Sequence, residues 1–187
     1  MLIPPSPSQG SGLLRPLLGA GVAAAETRLV SEPRSLFLAL DGVLADIARA
    51  AAAAEVSLRE YRQLPGLYAV LPSFPDARDA LRRAMDMGYD LVAVVMAESE
   101  NQIDDHDRLR WLQRHHPELA VQRAPAVPAP WGKPADVLVD ARGAAALAVG
   151  FQGRVVAYDG RWNAVLEALR AAAVATAEVA ADQRKRA

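Results

Sequence analysis

Short uninterrupted apolar runs alternate with longer segments of mixed polarity along most of the chain. The runs Leu36–Leu40, Leu91–Met96 and Val137–Val139 predict buried parallel strands, because a strand that is covered on both faces shows no polar alternation. A weaker strand is predicted at Leu119–Gln122 and a last one at Arg154–Tyr158. Strands that alternate with helices indicate an α/β domain with a mainly parallel sheet.

The segments between the strands carry helical patterns or clusters of proline. In Asp76–Met87 one helical face collects apolar residues, with Asp76 expected to cap its start and Gly88 to end it. That face comprises Ala77, Ala80, Leu81, Ala84 and Met85. The other predicted helices are Ala45–Arg62, Asp104–His116, Ala144–Val149 and Trp162–Asp182, the last with Val165, Leu166, Leu169 and Val174 near one stripe. The proline-containing segments Leu64–Pro75 and Ala124–Pro134 predict loops.

The first 33 residues differ from the rest of the chain. Met1–Gly12 is rich in Pro, Ser and Gly, which disfavours regular structure, whereas Gly21–Val30 is predicted to form a short helix. Between them lies an apolar cluster of Leu13, Leu14, Leu17 and Leu18. We therefore expect a leader at 1–33 before a domain at 34–187, which ends in a helix at about 161–183. Two interpretations stay open: a disordered leader, one helix of which could rest on the domain, or a docking segment at residues 13–30 that folds on a partner.

Composition narrows the classes of function. The chain has 187 residues and a formal net charge of −1, so it suits one domain and lacks the basic excess of a nucleic-acid binder. It has no cysteine, which excludes disulfides, thiolate metal sites and cysteine nucleophiles. Its uncharged apolar runs fall short of the ~18–20 residues that span a bilayer. We expect no membrane span, no secretory signal and a cytoplasmic location.

Two aspartates directly follow predicted strands. Asp41 follows the first strand and Asp140 the third, and parallel sheets bind ligands beyond the carboxyl ends of their strands. The two side chains are therefore expected to meet at one crevice. Aspartate is also common in turns, where it accepts backbone N–H bonds, so a structural role stays open for both.

The segment Leu38–Asp46 resembles the first motif of the HAD phosphatases, an apolar strand followed by Asp-x-Asp-Gly-Thr/Val. Its continuation is similar to the 5'(3')-deoxyribonucleotidase branch. Further segments resemble that branch in the same order, namely Leu64–Tyr68, Leu71–Ala77, Gly88–Asp90 and Asp136–Arg142. The resemblance covers about Arg34 to Trp162. It implies a HAD-like, Rossmann-type three-layer α/β/α fold with a small helical cap insertion at residues 45–75, called the cap segment below.

The same resemblance implies that the catalytic machinery is degenerate. The position of the aspartate nucleophile, which also binds Mg²⁺, holds Ala39, while Asp41 remains at the acid/base position. The phosphate-binding hydroxyl falls on Val95 or Met96, with Ser99 the nearest hydroxyl beyond them, and the second of two paired acids has become Ala141. Losing the nucleophile of a covalent mechanism costs on the order of 10⁴–10⁶ in rate. We expect no catalytic residue and no cofactor.

Four residues remain as candidates for ligand binding. They are Asp41, Asp140, which is also the remnant of a metal site, Lys133, which lies closer to Asp140 than the family pattern places its lysine, and Trp131. The hypothesis is a HAD-like pseudoenzyme that serves as a binding, scaffold or regulatory subunit, with a protein partner or a second copy bound through residues 13–30. The alternatives are a Mg²⁺-dependent 5'-nucleotidase or phosphatase with residual activity, and a nucleotide sensor that does not hydrolyse.

Overall fold

A computed structural model describes residues 33–96, 102–125, 129–141 and 147–186. The chain divides between Ser31 and Glu32, and all that follows concerns the second unit. The predicted leader, with its helix at Gly21–Val30, lies outside the described residues. The elements are β1 (Arg34–Ala39), α1 (Ile47–Ala53), α2 (Leu58–Tyr61), α3 (Leu67–Val70), α4 (Ala77–Asp86), β2 (Tyr89–Val95), α5 (Gln102–His115), β3 (Ala120–Arg123), β4 (Val137–Asp140), β5 (Arg154–Ala157) and α6 (Trp162–Arg186).

The described strands form one parallel sheet in the order β3-β2-β1-β4-β5. β1 is central, with Ala39 beside Val94 of β2 and Leu38 beside Val139 of β4. Consecutive residues of a strand point to opposite faces, and Leu36–Ala39 are all buried, so both faces of the sheet are covered. The predicted α/β class with a parallel sheet is confirmed.

The cap segment differs from the prediction. The single helix expected at Ala45–Arg62 is broken into α1 and α2, because Ser57 starts a new helix: its side chain accepts from the Glu60 N–H while the Glu60 carboxylate accepts from the Ser57 N–H. The chain turns between α1 and α2 at Glu55, whose φ is 55°. The segment Leu64–Pro75, expected to be a loop, contains the short helix α3.

The helices α4 and α6 lie close to their predicted positions, with three corrections. Met85 is exposed although the other four residues of its predicted face are buried, and Asp76 makes no side-chain capping bond. Val174 is 59% exposed, whereas Leu169, on the same predicted stripe, is fully buried. The end of α4 at Gly88 is as predicted, since this glycine adopts a φ of +83°.

The remaining elements differ in how far they are buried. α5 buries Trp111 and Leu112 but leaves Leu109 exposed, and β3 forms an exposed edge strand. Most of the predicted helix Ala144–Val149 lies outside the described residues, and residues 147–149 are not helical. Within the described ranges, no helix has the length and apolar character that crossing a membrane requires.

Candidate functional site

The carboxyl edge of the sheet gathers most of the positions that the family resemblance singled out, apart from Lys133. β1 ends at Ala39, which is 3% exposed, and the chain then turns sharply, with the Ala45 N–H donating to the Leu40 carbonyl at 2.9 Å. The turn projects Asp41 beside the end of β2. A cavity of about 10 Å³ remains there, lined among the described residues by Ala39, Leu40, Asp41, Val94, Val95, Met96, Arg108 and Leu147.

Asp140 lies at the end of the neighbouring strand, so topology brings the two predicted aspartates to the same edge. It is fully buried, and its carbonyl accepts from the Tyr158 N–H at 3.0 Å. The two strand ends approach closely: a Cβ on Gly42 would lie 2.9 Å from the Cβ of Ala141. Gly42 also has a φ of +83°, so its lack of a side chain serves both the turn and this contact. Asp140 is not among the described residues that line the small cavity.

A tyrosine of the cap segment reaches into the crevice and contacts Asp41. The hydroxyl of Tyr68 donates to Oδ1 of Asp41 at 2.5 Å and accepts from Nε of Arg108 at 3.1 Å. The guanidinium of Arg108 also lies 5.5 Å from the centre of the Tyr68 ring. Burial, together with the charge of Asp41 and the hydrogen bond to it, raises the pKa of Tyr68. Tyr68 therefore keeps its proton and remains a donor to Asp41 at neutral pH.

Arg108 joins this contact to the surface of the domain. Its Nη1 donates to the Met96 carbonyl at 3.3 Å and lies 3.5 Å from Asp105, which in turn pairs with the exposed Arg123 at 2.8 Å. Burial acts to lower the pKa of Arg108, but its bond to Tyr68 and the charges of Asp41 and Asp105 outweigh this and raise it. The result is a charged and hydrogen-bonded network from Asp41 to the β3 edge.

α5 fastens the cap segment at further points beyond Arg108. Nε1 of Trp111 donates to the Leu71 carbonyl at 2.8 Å, and Arg114 donates to the Ala69 carbonyl at 3.2 Å. These bonds hold the chain on both sides of Val70, where α3 ends, against one helix. The cap segment is therefore closed over Asp41 in this structure.

Trp131 and Lys133 do not join Asp41 and Asp140. The Lys133 N–H donates to Asp136 at 2.7 Å, and Asp136 precedes β4, so Lys133 lies at the amino end of the strand that Asp140 ends. Trp131 is buried in an aromatic cluster, with ring centres 5.3 Å from Phe37 and 4.7 Å from Phe151. Its Nε1 donates to the Val149 carbonyl at 3.2 Å. Trp131 is thus placed as a packing residue.

The sequence did not reveal Tyr68 and Arg108 as site residues. Tyr68 fell in a predicted loop, and nothing in the pattern of α5 separates Arg108 from Arg110 or Arg114. Only the return of the cap segment onto α5, a long-range contact, brings the two side chains to Asp41. Ser99, the nearest hydroxyl to the phosphate-binding position, lies outside the described residues.

Within the described part of the chain, no three His, Asp or Glu side chains cluster closely enough to hold a metal ion. Comparison with protein-family models and with curated proteins yields no match for this chain.

Proposed function

We propose that this protein is a catalytically silent, HAD-like domain that acts as a binding, scaffold or regulatory subunit. The observation that carries the proposal is the contact of Tyr68 with Asp41. The side chain that would serve as the acid/base is engaged by a residue of the protein itself, at 2.5 Å. A substrate would have to displace Tyr68, which Arg108 holds from its other side.

The residues that line the crevice support the proposal that the domain has no catalytic activity. Among the described residues, the cavity beside Asp41 measures about 10 Å³, close to the volume that one water molecule needs. The methyl group of Ala39 offers no nucleophile. Val95 and the thioether of Met96 offer no oxygen, which is the ligand atom that Mg²⁺ prefers.

The proposal that the domain binds a partner or a second copy rests on the sequence. Residues 13–30 carry five leucines in a leader that is otherwise rich in small and helix-breaking residues. Such a segment gains stability by burying its apolar side chains on another surface. We propose that it attaches the domain to a protein partner or to a second copy.

The proposed absence of phosphatase activity is tested by measuring hydrolysis of p-nitrophenyl phosphate in the presence of Mg²⁺. We expect the wild-type protein and Asp41→Asn to give the same rate as buffer, because no nucleophile is present for Asp41 to assist. The asparagine keeps the size of Asp41 and an oxygen that accepts from Tyr68, so folding is matched. Turnover in the wild type that Asp41→Asn abolishes would overturn the silent site. A calorimetric signal with deoxynucleoside monophosphates would instead favour the sensor.

The binding half is tested by comparing the full chain with residues 34–187 as bait, and by measuring the mass of both in solution. We expect the full chain to recover a partner or to self-associate, and the shortened chain to do neither while keeping its thermal unfolding transition. A matched control replaces Leu13, Leu14, Leu17 and Leu18 by serine at unchanged length and should behave like the shortened chain. Equal association by all three proteins would contradict docking through residues 13–30.

A further inference from the structure

A buried histidine links the end of α5 to the cap segment. His116 is 2% exposed, and its Nε2 lies 2.9 Å from Oγ of Ser73. Its Nδ1 lies 3.5 Å from the Glu118 carboxylate and makes no hydrogen bond to the described residues. A single buried imidazole therefore connects the core to the returning end of the cap segment.

Ser73 lies in the stem, the pair of segments Leu44–Asp46 and Pro72–Phe74 through which the chain enters and leaves the cap segment. The Asp46 N–H donates to the Pro72 carbonyl at 2.9 Å, and the Phe74 N–H donates to the Leu44 carbonyl at 3.1 Å. Ser73 itself bridges Ala45 in antiparallel fashion. His116 thus holds the residue between the two stem hydrogen bonds.

The surroundings of His116 favour the neutral imidazole. Burial lowers its pKa, the Glu118 carboxylate acts to raise it, and His115 and Arg78 lower it further. The charged and titratable groups that face it are Glu118 after α5, His115 on α5 and Arg78 on α4, and Arg78 is fixed by a bond of 3.1 Å to the His115 carbonyl. The Trp111 ring, 5.7 Å away, offers it no charge.

We propose that His116 is a proton-sensitive latch that keeps the cap segment closed over Asp41. Neutral His116 holds Ser73 and the stem. Protonation places a charge between α4 and α5, where burial opposes it, and opening the stem lets water reach that charge. The chain runs from the stem through Leu71 and Ala69 to Tyr68, so opening the stem leaves Tyr68 held on Asp41 only by the bonds that α5 makes to this segment. The latch concerns movement of the cap segment and does not depend on whether the domain is silent.

The direction of the pH effect follows from linkage. His116 has a lower pKa in the closed state than its ordinary value of about 6.5 in a solvated state, so the open state binds more protons. The closed state has its full stability above that ordinary value and loses stability as the pH falls below it. Acid should therefore open the stem.

Amide hydrogen exchange on the full-length protein tests the latch. We expect the Asp46 and Phe74 amides to lose at least about threefold protection between about pH 7.5 and pH 5, after correction for intrinsic exchange rates, while the amides of β1 and β4 hold theirs. Stem amides that change no more than the sheet amides would overturn the latch.

Three variants separate His116 from other titrating groups. His116→Gln keeps a hydrogen-bonding partner for Ser73 without a titrating ring, so the acid-induced loss should disappear. Glu118→Gln removes the carboxylate that opposes the effect of burial, so the loss should grow; its surface position keeps this test open if His116→Gln does not fold. His115→Gln, at the more exposed neighbour, should keep the acid-induced loss but make it somewhat smaller, because one group that lowers the pKa of His116 is removed. An unchanged response in His116→Gln, or an unchanged or smaller one in Glu118→Gln, would refute the proposal.

Discussion

Replacing Trp111 by alanine should lower the free energy of unfolding by about 3–5 kcal/mol, as large-to-small changes at buried aromatic residues do. Trp111 is 1% exposed, and it packs with its ring 4.5 Å from that of His115. Its Nε1 also donates to the Leu71 carbonyl, so the variant loses both the packing of the ring and a bond that fastens the cap segment. Urea denaturation followed by far-ultraviolet circular dichroism measures the change.

Trp111→Phe separates the lost hydrogen bond from the lost packing, and Leu109→Ala serves as a control. Trp111→Phe keeps an aromatic ring but removes the donor, which leaves the buried Leu71 carbonyl unpaired at a cost of about 1–3 kcal/mol. Leu109→Ala, at an exposed position of the same helix, should change stability by no more than about 0.5 kcal/mol. If Leu109→Ala proved as damaging as Trp111→Ala, α5 would not face the cap segment as described.

The central sheet was predictable because its signal is local. A strand that is covered on both faces must be apolar at every position, and the runs that became β1, β2 and β4 show this directly. Parallel topology then places the ends of β1 and β4 together, so Asp41 and Asp140 were expected at one edge. That expectation did not depend on the structure of the loops that connect the strands.

The cap segment was less predictable because its structure depends on short-range competition and on long-range contacts. In Ala45–Arg62 helix propensity is high throughout, and a single capping box at Ser57 and Glu60 decides that two helices form. α3 has only four residues and is held mainly by α5, so its sequence alone carries almost no helical signal.

The sequence did not indicate which side chains contact Asp41 in the crevice. The missing carboxylate at Ala39 can be read from the sequence, but the partners of Asp41 cannot, since Tyr68 and Arg108 are far apart in sequence and meet only through the fold. Trp131 illustrates the opposite error: its place in a proline-rich loop made it a candidate for ligand binding, whereas it packs against Phe37 and Phe151.

Ala39→Asp, which restores the carboxylate of the family motif, should destabilise the protein by about 3–5 kcal/mol at neutral pH, the cost of an uncompensated buried charge. The new side chain would enter a cavity of about 10 Å³ that Asp41 already lines. Arg108, the cation on that lining, is engaged by Tyr68, by the Met96 carbonyl and by Asp105. Urea denaturation gives the loss, and we expect no phosphatase activity to accompany it.

The pH dependence of that loss separates charge from crowding. Burial and the neighbouring Asp41 raise the pKa of the introduced carboxyl in the folded state, so the penalty is present at neutral pH and shrinks as the pH falls toward about 5. Ala39→Asn adds a side chain of nearly the same size without the charge, and its cost should not vary over that range. If Ala39→Asp were instead tolerated and became more stable on adding Mg²⁺, the crevice would have to open enough to accept a hydrated cation. The closed crevice that carries the proposed function would then be only one state of a site still able to bind metal.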